Sequence, residues 1–224
     1  CLNFLFFLTV ANGLATNPLN QYTNILRASA SPRELEYDLD GNLTDGGTFT
    51  YTWDAENRLI AVYSGNTLVV SNAYDHQSRR VLKVTPRETR TFLYDGWDLV
   101  QETIATATST TTNHYVWGKD LSGTLQGAGG VGGLLAVCVD NSCYFPLYDN
   151  NGNITAYVAE GGIVVAEYIY DAFGNTISQS GSMADTFPHR FSTKYYDAET
   201  GFYYYGYRFY SPALMRWLNR DPIG

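Results

Sequence analysis

Cys138 and Cys143 are the side chains best placed to make a covalent bond within this chain. They lie in Leu135-Ala136-Val137-Cys138-Val139-Asp140-Asn141-Ser142-Cys143-Tyr144-Phe145, where a two-residue turn at Asp140-Asn141 sets them opposite each other. Such a pair is non-hydrogen-bonded across the two strands, and its close approach suits a disulfide. The alternative is two free thiols at a hairpin end. The third cysteine, Cys1, stands apart. None of His76, His114 and His189 sits at metal-ligand spacing from another His or a Cys, and no Gly-x-Ser-x-Gly elbow occurs.

Gly127, Gly129 and Gly132 match a dinucleotide fingerprint by letter. That mechanism needs a helix N-terminus behind the glycines to hold a pyrophosphate, whereas Leu134-Leu135-Ala136-Val137 reads as strand. Asp38-Leu39-Asp40-Gly41-Asn42 and Asp149-Asn150-Asn151-Gly152-Asn153 resemble calcium loops, but the sixth position, which must be Gly for the sharp turn, is Leu43 or Ile154. Hairpin turns account for both segments. The glycosylation-type triplets Asn42-Leu43-Thr44 and Asn153-Ile154-Thr155 fall in the same turns. These residues call for no cofactor and no metal.

The elements that would position any site are strands. Nineteen Tyr, 11 Phe and 4 Trp stand beside 21 Gly, with only 16% charged residues, a composition that favours an all-β chain. The 45% hydrophobic content is enough for a core and argues against disorder. A net charge of -8 repels a phosphate backbone and anionic membrane surfaces, so nucleic acid is a poor partner.

The opening run Cys1 to Val10 is apolar but shorter than the roughly 18 residues a membrane span needs. No basic residue precedes it as in a signal peptide. It reads as a truncated start, with a clipped signal core as the alternative, and residues 1–30 as an apolar N-terminal segment.

An aromatic-Asp step recurs: Tyr37-Asp38, Trp53-Asp54, Tyr74-Asp75, Tyr94-Asp95, Tyr148-Asp149 and Tyr170-Asp171, each followed by a polar turn and an apolar run. Several spacings are about 20 residues, one hairpin per unit. The aromatic ends an incoming strand, and Asp accepts backbone N–H groups to start the turn. A Gly or Asn then takes the left-handed conformation, and the apolar residues return.

Thr48-Phe49-Thr50-Tyr51-Thr52-Trp53 alternates with a period of two. Between Phe202 and Tyr210 both faces of the expected strand are aromatic, so both should be covered. Single hairpins are marginal in water, so the units must share one sheet, and a fragment of it should expose strand edges. Gly127 to Gly133 is expected to be a flexible loop, and Thr103 to Asn113 a long hairpin tip. Ser211-Pro212 ahead of Ala213 to Leu218 has the order of an N-cap followed by Pro, which predicts one short helix near 211–218.

The Tyr-Asp units resemble the YD repeats of bacterial Rhs proteins. Residues 144–224 resemble the Rhs repeat-associated core domain, most specifically in Arg190 to Pro212 and in Arg216-Trp217-Leu218-Asn219-Arg220-Asp221-Pro222-Ile223-Gly224. On this division residues 31–143 are repeat hairpins. The resemblance implies hairpins spiralling into a hollow shell with the core closing one end, in a secreted or surface-displayed protein. Its partners would be the rest of the same polypeptide and a C-terminal toxin.

Some relatives cut themselves beyond the Asp-Pro-x-Gly motif with paired acids, one carboxylate activating water while the other is protonated. By resemblance those acids are Asp221 and Asp197, and any enzymatic activity is at most this single turnover. Many relatives have Asp and Gly where Ser211 and Met215 stand. The alternative is structural: Asp197 opens a turn and Asp221 fixes the chain's exit. Tyrosine faces could instead stack on sugar rings, making surface glycans an alternative partner, although packing within the sheet competes for the same rings.

Overall fold

A computed structural model describes residues 13–27 and 30–222. The run Cys1 to Val10, with its truncated-start and signal readings, lies outside the described residues. The described residues fold into three antiparallel sheets. The first holds β1 (Gly13–Thr16), β2 (Tyr22–Arg27) and β3 (Ala30–Glu34).

The second sheet has 14 strands in chain order. They are β4 (Glu36–Tyr37), β5 (Leu43–Asp45), β6 (Thr50–Trp53), β7 (Leu59–Ser64), β8 (Thr67–Tyr74), β9 (Arg80–Val84), β10 (Glu88–Asp95) and β11 (Asp98–Thr106). β12 (Thr110–Trp117), β13 (Leu134–Val139), β14 (Ser142–Tyr148), β15 (Ile154–Ala159), β16 (Val164–Tyr170) and β17 (Thr176–Ser180) complete it. The third comprises β18 (Tyr195–Asp197), β19 (Phe202–Tyr204), β20 (Phe209–Ser211) and β21 (Arg216–Trp217).

The aromatic-Asp step forms the same turn five times. In the turns opened by Asp38, Asp54, Asp75, Asp149 and Asp171, one carboxylate oxygen accepts the backbone N–H four residues on. The other accepts from that residue's side chain, Asn42, Arg58, Arg79, Asn153 or Asn175. The residue before it, Gly41, Asn57, Ser78, Gly152 or Gly174, has positive φ, which Gly and Asn adopt at least cost. Both oxygens of Asp38 and Asp149 are thus occupied by the turn, and Asn42 and Asn153 are buried. Tyr94-Asp95 is the exception: there Asp95 pairs directly with Asp98 around a tight turn.

The aromatic residue does more than end its strand. A register shift occurs at Trp53, Tyr74, Tyr94, Trp117, Tyr148 and Tyr170, and each bulge disturbs the ladder of hydrogen bonds. The polar tip of each aromatic reaches back one hairpin to a carbonyl: Trp53 to Leu43, Tyr74 to Leu59 and Tyr94 to Arg80. Trp117, Tyr148 and Tyr170 do the same to Leu99, Leu134 and Ile154. One residue therefore packs the inner face and stitches successive hairpins together.

Cys138 and Cys143 face each other across β13 and β14 and form a disulfide around Asp140-Asn141, both with positive φ. Thr103 to Asn113 is mostly strand, with the tip confined to Ala107, Thr108 and Ser109. The Gly127–Gly133 segment runs into β13 and is tied down by Asp120, which accepts from Ser122, Ala128 and Gly130. Among the described residues strand β17 has only β16 as neighbour, and it is largely exposed, a raw edge of the sheet.

Two expectations are corrected. No helix forms near 211–218: Ser211 does cap the N–H of Leu214 at 3.2 Å, but Met215 takes a φ of 57° and sends the chain back as β21. An isolated turn of helix is unstable in water. Here Trp217 instead packs edge-on against Tyr205 and Tyr210, with Arg208 over its ring at 4.1 Å. Second, Phe202 to Tyr210 is a hairpin, turning at Tyr205–Arg208. Phe202, Tyr203 and Tyr204 are nonetheless all buried, as two covered faces require.

Candidate functional site

The large sheet and the small one meet along the row of aromatic-Asp turns. Leu43 donates its N–H to Leu218 at 2.8 Å, and Asn219 donates to the Asn57 carbonyl at 3.3 Å. The Tyr204 hydroxyl accepts the Arg80 N–H at 2.8 Å, and Trp97 packs on Tyr207 with ring centroids 4.7 Å apart. Ser192 donates to Asn153 and Thr193 to Gly152, both at 2.8 Å. At the far end Tyr203 and Tyr210 donate to Gly174 and Phe173, and Asn175 donates to Pro212.

A flat sheet of 14 strands would be about 60 Å across, at roughly 4.8 Å per strand. A four-stranded sheet is about 15 Å wide. Turns at both ends of the wide sheet touch the C-terminal segment, so the wide sheet curls around it.

Charges are buried in this junction. Arg80 occupies the position five residues after Asp75 that is Leu43, Leu59 or Ile154 in other units, and is 1% exposed. Its guanidinium lies against the rings of Phe92, Tyr195, Tyr204 and Phe209 and donates to Asp197 at 2.6 Å. Lys83 holds the other Asp197 oxygen at 2.8 Å and reaches Glu199 at 2.7 Å. Burial alone would raise the Asp197 pKa, but the charges and hydrogen bonds of Arg80 and Lys83 outweigh it and hold the carboxyl down at about 2.

Beside it Glu102, fully buried, accepts from Arg90 at 2.9 Å, Tyr115 at 2.6 Å and Tyr195. Its burial is likewise overcome, and its pKa lies below the usual range. His189 packs edge-on against Tyr115, Trp117 and Tyr195, and burial pushes its pKa down to about 3.

The two acids singled out by motif sit among different partners. Asp197 ends β18, its carbonyl accepts Thr200 and Gly201 to open a turn, and its carboxylate is saturated by two cations. Asp221 is half-exposed and pairs with Arg208 at 3.0 Å. An acid pair that shares a proton needs one member neutral near working pH; Asp197 is held ionised. Arg80, Lys83, Arg90 and Glu102 escaped sequence reasoning because charged residues on strands read as solvated. The available signal was Arg80 in a slot that three sibling units fill with Leu or Ile and a fourth with Thr176.

Over residues 11–223 the chain matches the model of the Teneurin YD-shell family. It is 31% identical over 209 residues to the tRNA3(Ser)-specific nuclease WapA of Bacillus spizizenii, a match covering 92% of this chain and 8% of that protein. It is 30% identical over 219 residues to the double-stranded DNA deaminase toxin A of Burkholderia cenocepacia, covering 85% of this chain and 15% of the toxin. This chain therefore spans a small part of those relatives' length.

The crystal structure of TcdB2-TccC3-TEV shares the fold over 94% of this chain and 12% of its own, with a TM-score of 0.64 at 19% identity. The Tc holotoxin pore of Photorhabdus luminescens gives the same coverage and score. A hairpin ribbon stitched by its aromatic-Asp turns, curled around an aromatic C-terminal sheet and matched over nearly its whole length, belongs to the Teneurin YD-shell family, the Rhs and YD-repeat shell proteins.

Proposed function

We propose that this chain is the closing segment of a toxin-carrying shell. Residues 31–143 supply wall hairpins, and residues 144–224 continue the wall and seal its end. The observation that carries this reading is the contact of one short C-terminal segment, through Leu218 and Pro212, with Leu43 and Asn175, which are far apart along the wall. Relatives that include a nuclease and a deaminase toxin support a cargo of that kind, held by the rest of the same polypeptide. On this reading the protein acts outside the cell or at its surface. Among the described residues no helix is long and apolar enough to cross a membrane.

The test is limited proteolysis of the full polypeptide that contains this chain. The region beyond Gly224 should resist protease, and Tyr204→Ala combined with Trp217→Ala should expose it. Equal cleavage with and without those changes would end the reading.

A second reading is one self-cleavage event beyond Asp221-Pro222-Ile223-Gly224. The Asp221 side chain, half-exposed beside Arg208 and next to the Asp-Pro-x-Gly step, favours it. Asp197, held ionised by its two cations, would then act as a positioning residue. An extended polypeptide that stays a single full-length band on a denaturing gel would remove this reading. Cleavage that survives Asp221→Asn would remove Asp221 from it.

A further inference from the structure

A cavity of about 260 Å³ lies between the Tyr94–Leu99 hairpin, the glycine-rich loop and the small sheet, and none of Arg80, Lys83 or Asp197 lines it. Two groups of opposite charge do: the Asp98 carboxyl and the Lys194 ammonium. They flank one step of the loop. A methyl added to Gly129 would lie 3.4 Å from the Lys194 Nζ, and one added to Gly130 would lie 3.3 Å from the Asp98 Oδ1. Each group feels the other's charge, yet among the described residues no ion pair joins them.

Lys194 donates one N–H to the Gly129 carbonyl and stands over the Tyr205 ring at 5.4 Å, while Asp98 accepts from the Gln126 side chain. Burial pushes the Asp98 carboxyl up and the Lys194 ammonium down to about 8, so both charged forms are short of water. His189 lines the same space, and its Nδ1 is buried without a hydrogen-bond partner among the described residues. Burial keeps this ring neutral, so one of its nitrogens is an acceptor. A charge or polar atom held in this way costs free energy that a ligand with the matching groups recovers.

The two charges select the class of ligand. A simple cation suits Asp98 and is repelled by Lys194; a simple anion suits Lys194 and is repelled by Asp98. An uncharged molecule leaves both without a counter-charge. A small molecule that carries both charges meets every one of these objections. The Trp117 ring lies 3.3 Å from the same added-methyl position on Gly130 as the Asp98 Oδ1, so a cation there meets a carboxylate and an indole together. The acceptors on that side, Asp98 and His189, call for N–H donors, which a primary ammonium has and a quaternary one lacks. On the other side a carboxylate accepts from the remaining N–H groups of Lys194. The volume is below the usual range for drug-sized ligands and suits one small molecule. We propose that this cavity binds a free amino acid as its zwitterion, with the ammonium held by Asp98, Trp117 and His189 and the carboxylate by Lys194.

The test uses tryptophan fluorescence and calorimetry at pH 7 on the 224-residue chain. It is titrated separately with alanine, leucine, phenylalanine and 5-aminopentanoate. Each is compared with the amine that lacks its carboxylate and the acid that lacks its amine. At least one amino acid should bind saturably, with a dissociation constant of about a millimolar, and both of its analogues should bind at least about tenfold more weakly. Two variants separate the charges, each checked by circular dichroism for an unchanged strand signature. Lys194→Gln should weaken the amino acid but not the amine, and Asp98→Asn should weaken the amino acid but not the acid. The proposal is overturned if none of the four amino acids saturates, or if either analogue binds as tightly as its parent. It is also overturned if a folded Lys194→Gln variant loses affinity for the amine as much as for the amino acid, or keeps both unchanged.

Discussion

Replacing Asp197 by Asn removes a charge while keeping the shape of the side chain, and the junction described above fixes what should follow. Arg80 and Lys83 are 1% and 2% exposed, and Asp197 is the carboxylate that touches both. Without it Lys83 keeps Glu199, but Arg80 is left a buried cation against four rings. Breaking a buried pair from one side costs about 3–5 kcal/mol.

An independent figure comes from the pKa. A carboxyl held at about 2, against an ordinary 3.8, is stabilised by about 2.4 kcal/mol when ionised. Because the folded pKa is the lower one, this stability is fully present above the unfolded value and is lost as the pH falls through the folded value. Urea denaturation followed by circular dichroism should show Asp197→Asn well below the parent chain at pH 7. The gap should narrow by about 2 kcal/mol between pH 5 and pH 2. Replacing Arg80 and Lys83 by Met in the same variant should recover much of the loss, as expected when a whole buried ion cluster is exchanged for apolar groups. A loss under about 1 kcal/mol at pH 7, or a gap that does not change with pH, would refute the assignment of Asp197 as the keystone of this junction.

Three further outcomes follow from the same geometry. Cys143→Ser opens the small loop closed by the Cys138–Cys143 bond; the chain-entropy estimate is a loss of about 2 kcal/mol, and reductant should reproduce it in the parent chain's urea midpoint. His189 is held neutral by burial, with its pKa near 3 against an ordinary 6.5. The unfolded chain therefore takes up a proton that the folded chain refuses, and stability should fall by about 3 kcal/mol between pH 7 and pH 4. His189→Phe should flatten that limb, and an unchanged limb would count against the reading. Tyr170→Phe deletes the hydroxyl that donates to Ile154 at 2.7 Å. It should cost about 1 kcal/mol in a thermal melt, and faster amide exchange should be concentrated in the β15 and β16 hairpin.

The wall of this fold was legible because its information is local. Asp followed four residues later by Asn or Arg, with Gly, Asn or Ser just before, specifies a turn through hydrogen bonds that close within five residues. Alternation in Thr50 to Trp53 then assigns the inner face. The facing of Cys138 and Cys143 was legible for the same reason, since a two-residue turn fixes the register of the residues on either side.

What could not be read locally is which inner-face residues meet across the junction. Arg80 and Asp197 are 117 positions apart, and Glu102 and Tyr195 are 93. Periodicity assigns a residue to a face but is blind to what that face meets. The Ser211-Pro212 step shows the same limit from the other side. Its local rule did operate, since Ser211 caps Leu214, yet the aromatic bed offered by Tyr205 and Tyr210 to Trp217 decided the outcome.

A charged residue in a slot that three sibling repeats fill with Leu or Ile is a local sign of such distant pairing. A buried cation requires partners for its charge from elsewhere in the chain, an anion or, as for Arg190, a set of carbonyls. Given Arg80 in the slot of Leu43, Leu59 and Ile154, a partner for its charge had to come from elsewhere in the chain. The acid whose turn opens the small sheet, Asp197, is the one that does.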